Sequence, residues 1–409
     1  MTSPPSISQS QFDSDASYNE ALLSAQAQLM HVAVRPPRIM VRGSGSYLWD
    51  HLGTRYLDFV QGWAVNALGH ASPEIAAALA EQAQVLINAS PGFHNGPQLR
   101  FARDLSRAAG LAQVHFASSG AEANEAALKL ARKWGRLHRA GAYQIITTEG
   151  SFHGRTLALM AASGKPGWDA LFPPNMPGFE KVPFGDVDAV RARISAQTVA
   201  VMVEPIQGEA GVVVPPVGYL RELRRLCDEH DLLLICDEVQ TGMGRTGTLF
   251  ACQHEAVSPD ILTLGKGLGG GVPISAVLAN TRASCFVPGD QGGTYNGNPL
   301  MVAVASRVFD VVSSESFLPR VRAAGHYLER RLSESCSAHG LRLRGRGLLW
   351  AVLLPNDQAA RVVEACFNLG LLLNAPRPNT LRLMPSLRVS DEEIDEMARL
   401  LERALRASY

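Results

Sequence analysis

The chain has 409 residues, 46% of them hydrophobic and 19% charged, an ordinary globular balance with enough apolar material for a sizeable core. Its 38 basic and 38 acidic residues cancel, which argues against the broad positive face of a nucleic-acid or anionic-membrane binder. No apolar run reaches the roughly 18 residues of a membrane span, and the opening MTSPPSISQSQFDSD has neither the basic start nor the apolar stretch of a secretory signal.

Ser, Pro and Gln dominate residues 1–16, which read as a disordered lead-in. SYNEALLSAQAQLM predicts a short amphipathic helix over 17–30. Up to residue 71, Gly43-Ser-Gly45 and His51-Leu-Gly53 punctuate alternating apolar segments, the pattern of a small antiparallel meander. Ser72-Pro73-Glu74 then opens a helix to about Leu86, and a second runs from about Pro97 to Gly110. Five short apolar runs follow, VHFASSG, QIITTEG, VAVMVEP, LLLICDE and ILTLGKG, with helical stretches between them. Runs of this kind suit strands covered on both faces, so residues 72–298 read as a large α/β domain with a mostly parallel central sheet covered by helices. After about residue 299 the alternation weakens. Helices near 299–313, 316–338, 357–369 and 391–407, with strands near 348–354 and 380–384, predict a small α+β domain that the N-terminal segment 17–71 helps to complete. The six cysteines form no CxxC pair and have no histidines at zinc spacing, so no metal is expected and the thiols read as reduced, in a cytoplasmic protein.

In parallel sheets ligands bind beyond the carboxyl ends of the strands. Ser118, Ser119, Gly120, His153, Arg155, Glu204, Asp237, Glu238 and Lys266 fall there. Lys266 stands among five glycines in TLGKGLGGG. It is either a solvated turn lysine or one kept partly dry, so that its amine can attack a carbonyl. The two formal GxGxxG matches, Gly265–Gly270 and Gly242–Gly247, lack the strand–helix context of a dinucleotide site. SSGAEANEAALKLARK on its own reads as a capped helix, although its N-terminus suits a phosphate. Asp237 ends a strongly apolar strand, where a carboxylate needs either backbone donors or a cationic partner; the absence of metal spacing favours a protonated ring nitrogen. A phosphate cradle, a strand-end aspartate and a strand-end lysine together describe a pyridoxal phosphate site.

At these residues a family resemblance becomes specific. SSGAEANEAALKLARK, SFHGRT, VEPIQGEAGVVV, DEVQTGMGRTG, TLGKGLGGGVPI and GGTYNGNPL occur in order. From about residue 40 onward the chain resembles class III aminotransferases of pyridoxal phosphate fold type I, and within them the acetylornithine/ornithine branch. The resemblance implies Lys266 as the Schiff-base lysine and general acid/base, and Asp237 as partner of the pyridinium. Gln240 would bond the ring's phenolic oxygen, with Val239 on one ring face and Phe152 on the other. Ser119, Gly120 and Ala121 match the phosphate turn. Thr294 matches a threonine that reaches the phosphate of a neighbouring subunit, which implies a homodimer with shared active sites. Arg155 would clamp the carboxylate distant from the reacting amine.

Glu209 and Arg382 match a family switch. Glu209 would hold Arg382 when an ω-amino donor binds and release it to the α-carboxylate of glutamate or 2-oxoglutarate. Ornithine-specific relatives have tyrosines where this chain has Ala33 and Trp63, and acetylornithine relatives have a small aliphatic residue at the second place, so Trp63 departs from both. The resemblance implies transfer of the δ-amine of N2-acetylornithine to 2-oxoglutarate, in arginine biosynthesis. Ornithine, succinylornithine, 4-aminobutyrate, putrescine or another ω-amine remain as alternative donors. A class III decarboxylase would differ at Arg155, Glu209 and Arg382, and a pyridoxal-phosphate-binding regulator would need a basic DNA-binding module.

Overall fold

The computed structural model describes residues 23–408. The lead-in 1–16 and the first part of the helix expected over 17–30 lie outside these residues. Within them that segment is helical at residues 23 and 24 and continues as a 3-10 turn, Ala25–Gln28, which buries no residue.

A seven-stranded sheet forms the centre. Its order is Gln113–Ala117, Ser275–Ala279, Ile261–Leu264, Leu233–Asp237, Thr198–Val203, Gln144–Thr148 and Phe179–Val182. Ser275–Ala279 runs antiparallel to both of its neighbours, and the other pairings are parallel. The five apolar runs all became strands of this sheet. Thr198–Val203 and Leu233–Asp237 are buried at every position, as strands with helices on both faces must be. The reading missed Phe179–Val182, whose FEKV has no apolar run, and Ser275–Ala279, which follows the glycine stretch directly.

The expected meander is present as Met40–Ser44, Tyr47–Asp50 and Arg55–Asp58. A C-terminal strand, Leu371–Leu372, adds to it in parallel. A second four-stranded antiparallel sheet contains Arg342–Arg346, Leu349–Leu353, Thr380–Leu383 and Asn374–Arg377, in that spatial order. The helices Phe317–Ser337 and Ala359–Asn368 pack against Asp391–Ser408. The helix Pro299–Val312 instead packs on Pro73–Ala83 and Gly96–Ala109. Among the described residues no helix is long and apolar enough to cross a membrane.

One local feature was not legible. Gln61, Gly62, Trp63 and Ala64 all have positive φ, 49°, 61°, 65° and 62°, and form a left-handed helical turn closed by Ala64 N–H to Val60 O (2.9 Å) and Val65 N–H to Gln61 O (2.8 Å). Left-handed geometry costs about 1–2 kcal/mol for each non-glycine residue. Asp58 holds it in place. Its Oδ1 accepts from Val60 N–H (2.8 Å) and Gln61 N–H (2.9 Å), and His70 Nε2 lies 2.7 Å from Oδ2. The turn leaves Trp63 53% exposed.

Candidate active site

Strand ends and one helix start converge on a cavity of about 250 Å³. Gly120, Ala121, Phe152, Arg155, Glu209, Asp237, Val239, Gln240 and Lys266 line it, together with Asn124, His153 and Glu204. Nine of the expected site residues therefore share one space.

Lys266 follows the strand Ile261–Leu264 and opens a 3-10 turn with φ of 44°. That backbone is unusual for a side-chain-bearing residue and is often found where function holds strain. Burial pushes the Lys266 amine below the ordinary lysine range, and Arg382 adds to this; Glu209, Asp237 and Glu204 act the other way. A buried amine of lowered pKa is the form that can lose its proton and attack a carbonyl.

Asp237 ends the strand Leu233–Asp237 and is 3% exposed. Its Oδ2 accepts from Asn124 Nδ2 (2.8 Å) and lies 2.8 Å from His153 Nδ1. Its Oδ1 accepts from Val239 N–H (3.1 Å). Thr263 Oγ1 gives its one proton to Asn124 Oδ1 at 2.7 Å, which orients the amide toward Asp237. These donors suit a carboxylate acceptor, which Asp237 presents to the cavity it lines. Glu238, the next residue, turns away. It accepts from Cys252 N–H at 2.8 Å and from Ala251 N–H, and secures a loop outside the cavity.

The helix Gly120–His138 starts at the cavity with Ser119 as its cap, Oγ accepting from Glu122 N–H at 3.3 Å. First-turn N–H groups have no partner inside a helix and attract anions. Gly120 is needed here, because a Cβ on it would lie 2.8 Å from Val239 Cγ1. This close approach brings the helix start against the strand end that carries Asp237. The lysine, the aspartate and the helix start fit pyridoxal phosphate, and the cavity between Phe152 and Val239 can receive its ring.

Arg382 lies on the strand Thr380–Leu383 and is fully buried. Its Nη1 donates to Glu209 Oε1 (2.6 Å) and to Gln240 Oε1 (3.3 Å), and its Nε to Asn374 Oδ1 (3.2 Å). Among the described residues its Nη2 has no hydrogen-bond partner. Burial alone would raise the Glu209 pKa, but Arg382 and Lys266 outweigh it and hold the carboxyl below its ordinary range. Gly208 makes room for Gln240, whose Oε1 would lie 1.6 Å from any Cβ at that position. Arg155 sits at the mouth, its guanidinium 5.6 Å from the Trp168 ring centre and 6.0 Å from that of Phe152, with no carboxylate partner among the described residues.

Four expected residues do not line this space. Arg382 meets it only through Glu209 and Gln240. Trp63 projects from its left-handed turn. Thr294 is in an exposed stretch, its carbonyl 3.5 Å from Asn88 Nδ2. Ser119 borders the cavity only through its neighbours. Asn124 and Thr263 were missed. Asn124 carried a signal, since it falls on one helical stripe with the buried Ala127, Leu128 and Ala131, where an amide needs a polar partner.

Fold and cavity together define a pyridoxal-phosphate-dependent transaminase. A family model described as Aminotransferase class-III matches residues 29–405. The chain is 55% identical to acetylornithine aminotransferase 2 of Bordetella bronchiseptica, over 92% of this chain and 95% of that one. It is 52% identical to acetylornithine aminotransferase of Ralstonia nicotianae, over 93% and 97%. Among solved structures it is similar to ornithine aminotransferase from Toxoplasma gondii (TM-score 0.91, 34% identity, 97% and 96% covered). It is also similar to N-acetylornithine aminotransferase from Stenotrophomonas maltophilia (TM-score 0.81, 36% identity, 94% and 98% covered). The chain belongs to the class III aminotransferases.

Proposed function

We propose that the enzyme moves the δ-amino group of N2-acetylornithine to 2-oxoglutarate, in arginine biosynthesis. The observation that carries this reading is the pair of arginines at different depths: Arg382 buried and held by Glu209, Arg155 at the mouth with no carboxylate partner. An ω-amino donor has one carboxylate, far from the reacting amine, and Arg155 takes it while Arg382 stays on Glu209. Glutamate has two. Arg382 then leaves Glu209 for the α-carboxylate, its partnerless Nη2 adding a second donor, and Arg155 takes the distal one.

Bound pyridoxal phosphate draws electrons from the amine-bearing carbon. Lys266 Nζ would bind the cofactor's aldehyde and move the proton on the amine-bearing carbon. Asp237 would face the ring nitrogen and keep it protonated, Gln240 would bond the phenolic oxygen, and Phe152 and Val239 would flank the ring. Ser119, Gly120 and Ala121 would seat the phosphate, and Thr294 would complete that seat in a second copy of the chain. A homodimer is supported by the exposed Ile87, Phe93 and Tyr295 on segments joined to each other around Thr294, an apolar surface of the kind that marks an interface. The six unpaired cysteines fit a reducing, cytoplasmic setting.

Steady-state kinetics with acetylornithine, ornithine, succinylornithine and 4-aminobutyrate tests the reading. The highest kcat/KM is expected for acetylornithine, and a higher value for ornithine or 4-aminobutyrate sinks it.

A further inference from the structure

The switch leaves a physical problem. When Arg382 turns to a substrate carboxylate, Glu209 loses its 2.6 Å ion pair while its side chain is only 21% exposed. A carboxylate largely withdrawn from water and stripped of its partner is destabilising. Lys266 also acts on Glu209, but it is committed to the cofactor. A different cation has to be close, mobile and uncommitted.

Lys165 meets these conditions. It is half-buried, and among the described residues its side chain makes no ion pair or hydrogen bond; its ammonium stands 5.2 Å from the Trp168 ring centre, beside Arg155 over the same ring. Its backbone is tied to the Glu209 loop in two steps. Gly164 O accepts from Gly150 N–H (2.9 Å), and Gly164 N–H donates to Ser151 Oγ (3.0 Å). Gln207 Nε2, two residues before Glu209, donates to Glu149 O (2.8 Å) and Thr148 Oγ1 (2.9 Å). The residue after Gly164 and the carboxylate after Gly208 thus belong to one hydrogen-bonded patch of loops. Glu209 is also the acidic group acting on Lys165, against burial and the neighbouring Arg155 and Arg377. A lysine suits the task better than a second arginine fork, because its long stem lets a compact charge swing between an aromatic face and a carboxylate.

We propose that Lys165 is the alternate partner of Glu209, a positioning residue that receives the carboxylate in the glutamate/2-oxoglutarate half-reaction and so lets Arg382 go. This rests on the two-arginine switch proposed above. In the acetylornithine half-reaction Arg382 stays on Glu209, and Lys165 remains over Trp168.

The test compares the two half-reactions separately in the holoenzyme, by single-turnover spectroscopy of the cofactor with glutamate or with acetylornithine. Lys165→Gln is expected to lower the rate constant per glutamate concentration about 10-fold, the size of a coupling between neighbouring charged groups, and that for acetylornithine less than about 2-fold. Lys165→Arg should recover most of the glutamate loss. In a Glu209→Gln background, Lys165→Gln should add no further loss, since no carboxylate remains to be received. Equal losses in both half-reactions, or no loss in either, overturn the proposal while leaving the switch intact. If Glu209→Gln alone leaves the ratio of the two half-reactions as in the wild type, the switch reading fails, and the role of Lys165 fails with it.

Discussion

The floor and the mouth of the cavity are built on opposite plans. At the floor the charged groups are held by the protein around them. Asp237 is fixed by Asn124, itself oriented by Thr263, and by His153 and Val239 N–H, and Lys266 is locked by the strand before it and the turn that it opens. At the mouth, Arg155, Arg377 and Glu209 all act on Lys165, and none of the three cations has an ion pair of its own among the described residues. The floor hangs on the central sheet. The mouth hangs on loops and on a strand of the C-terminal sheet. Groups that must face one cofactor in every turnover can be held rigidly. Groups that must meet two different substrates need surplus charge and freedom to change partners, and the substrate's carboxylates supply what the protein leaves unpaired.

Substitutions at the floor should therefore be severe and indifferent to the substrate. Lys266→Ala is expected to remove turnover, a loss of at least about 10⁴-fold in kcat/KM, together with the visible band of the covalently held cofactor. Retention of that band would break the assignment. Asp237→Asn keeps the shape and much of the hydrogen bonding but removes the charge. It should cost about 10²–10³-fold in kcat/KM, the range seen when one preorganised electrostatic contact is lost, and equally with acetylornithine and glutamate. A loss confined to one donor would place Asp237 with the mouth residues instead.

The same contrast governs what the sequence reveals. Lys266 and Asp237 were legible because a charge at the end of a fully apolar run is costly, so its presence asks for a reason. Glu209 and Arg382 were legible only through the family motifs, and Arg155, a strand-end candidate from the pattern, took its role as a carboxylate clamp only from them. TLRL alternates like any half-exposed strand, and nothing in it announces that Arg382 is fully buried. The left-handed turn under Trp63 has only Gly62 to hint at it, because the cause is a tertiary one, the grip of Asp58. Lys165, in a stretch of Gly, Pro and Ser, reads as a surface turn until the Glu149–Gly164 pairing is seen. The central sheet was readable strand by strand, except where a short polar strand or an antiparallel insertion broke the rhythm.

One floor residue tests how dry that region is. Glu204 is 6% exposed, lines the cavity, and accepts from Phe152 N–H at 3.0 Å through Oε2. Burial first, and the Asp237 carboxylate next, push its pKa well above the ordinary 4.5, against the pull of that N–H and of Lys266. A carboxyl with a raised pKa in the folded state stabilises that state fully below its unfolded pKa. The contribution is lost as pH rises from about 4.5 through the folded value. Glu204→Gln keeps an oxygen for the Phe152 N–H and removes the ionisation. With cofactor removed from both proteins, the variant's melting temperature should exceed the wild type's by a margin that widens with rising pH, reaching on the order of a few degrees. A margin that stays constant or narrows as pH rises would show that water reaches Glu204, and the floor would then be wetter than its burial implies.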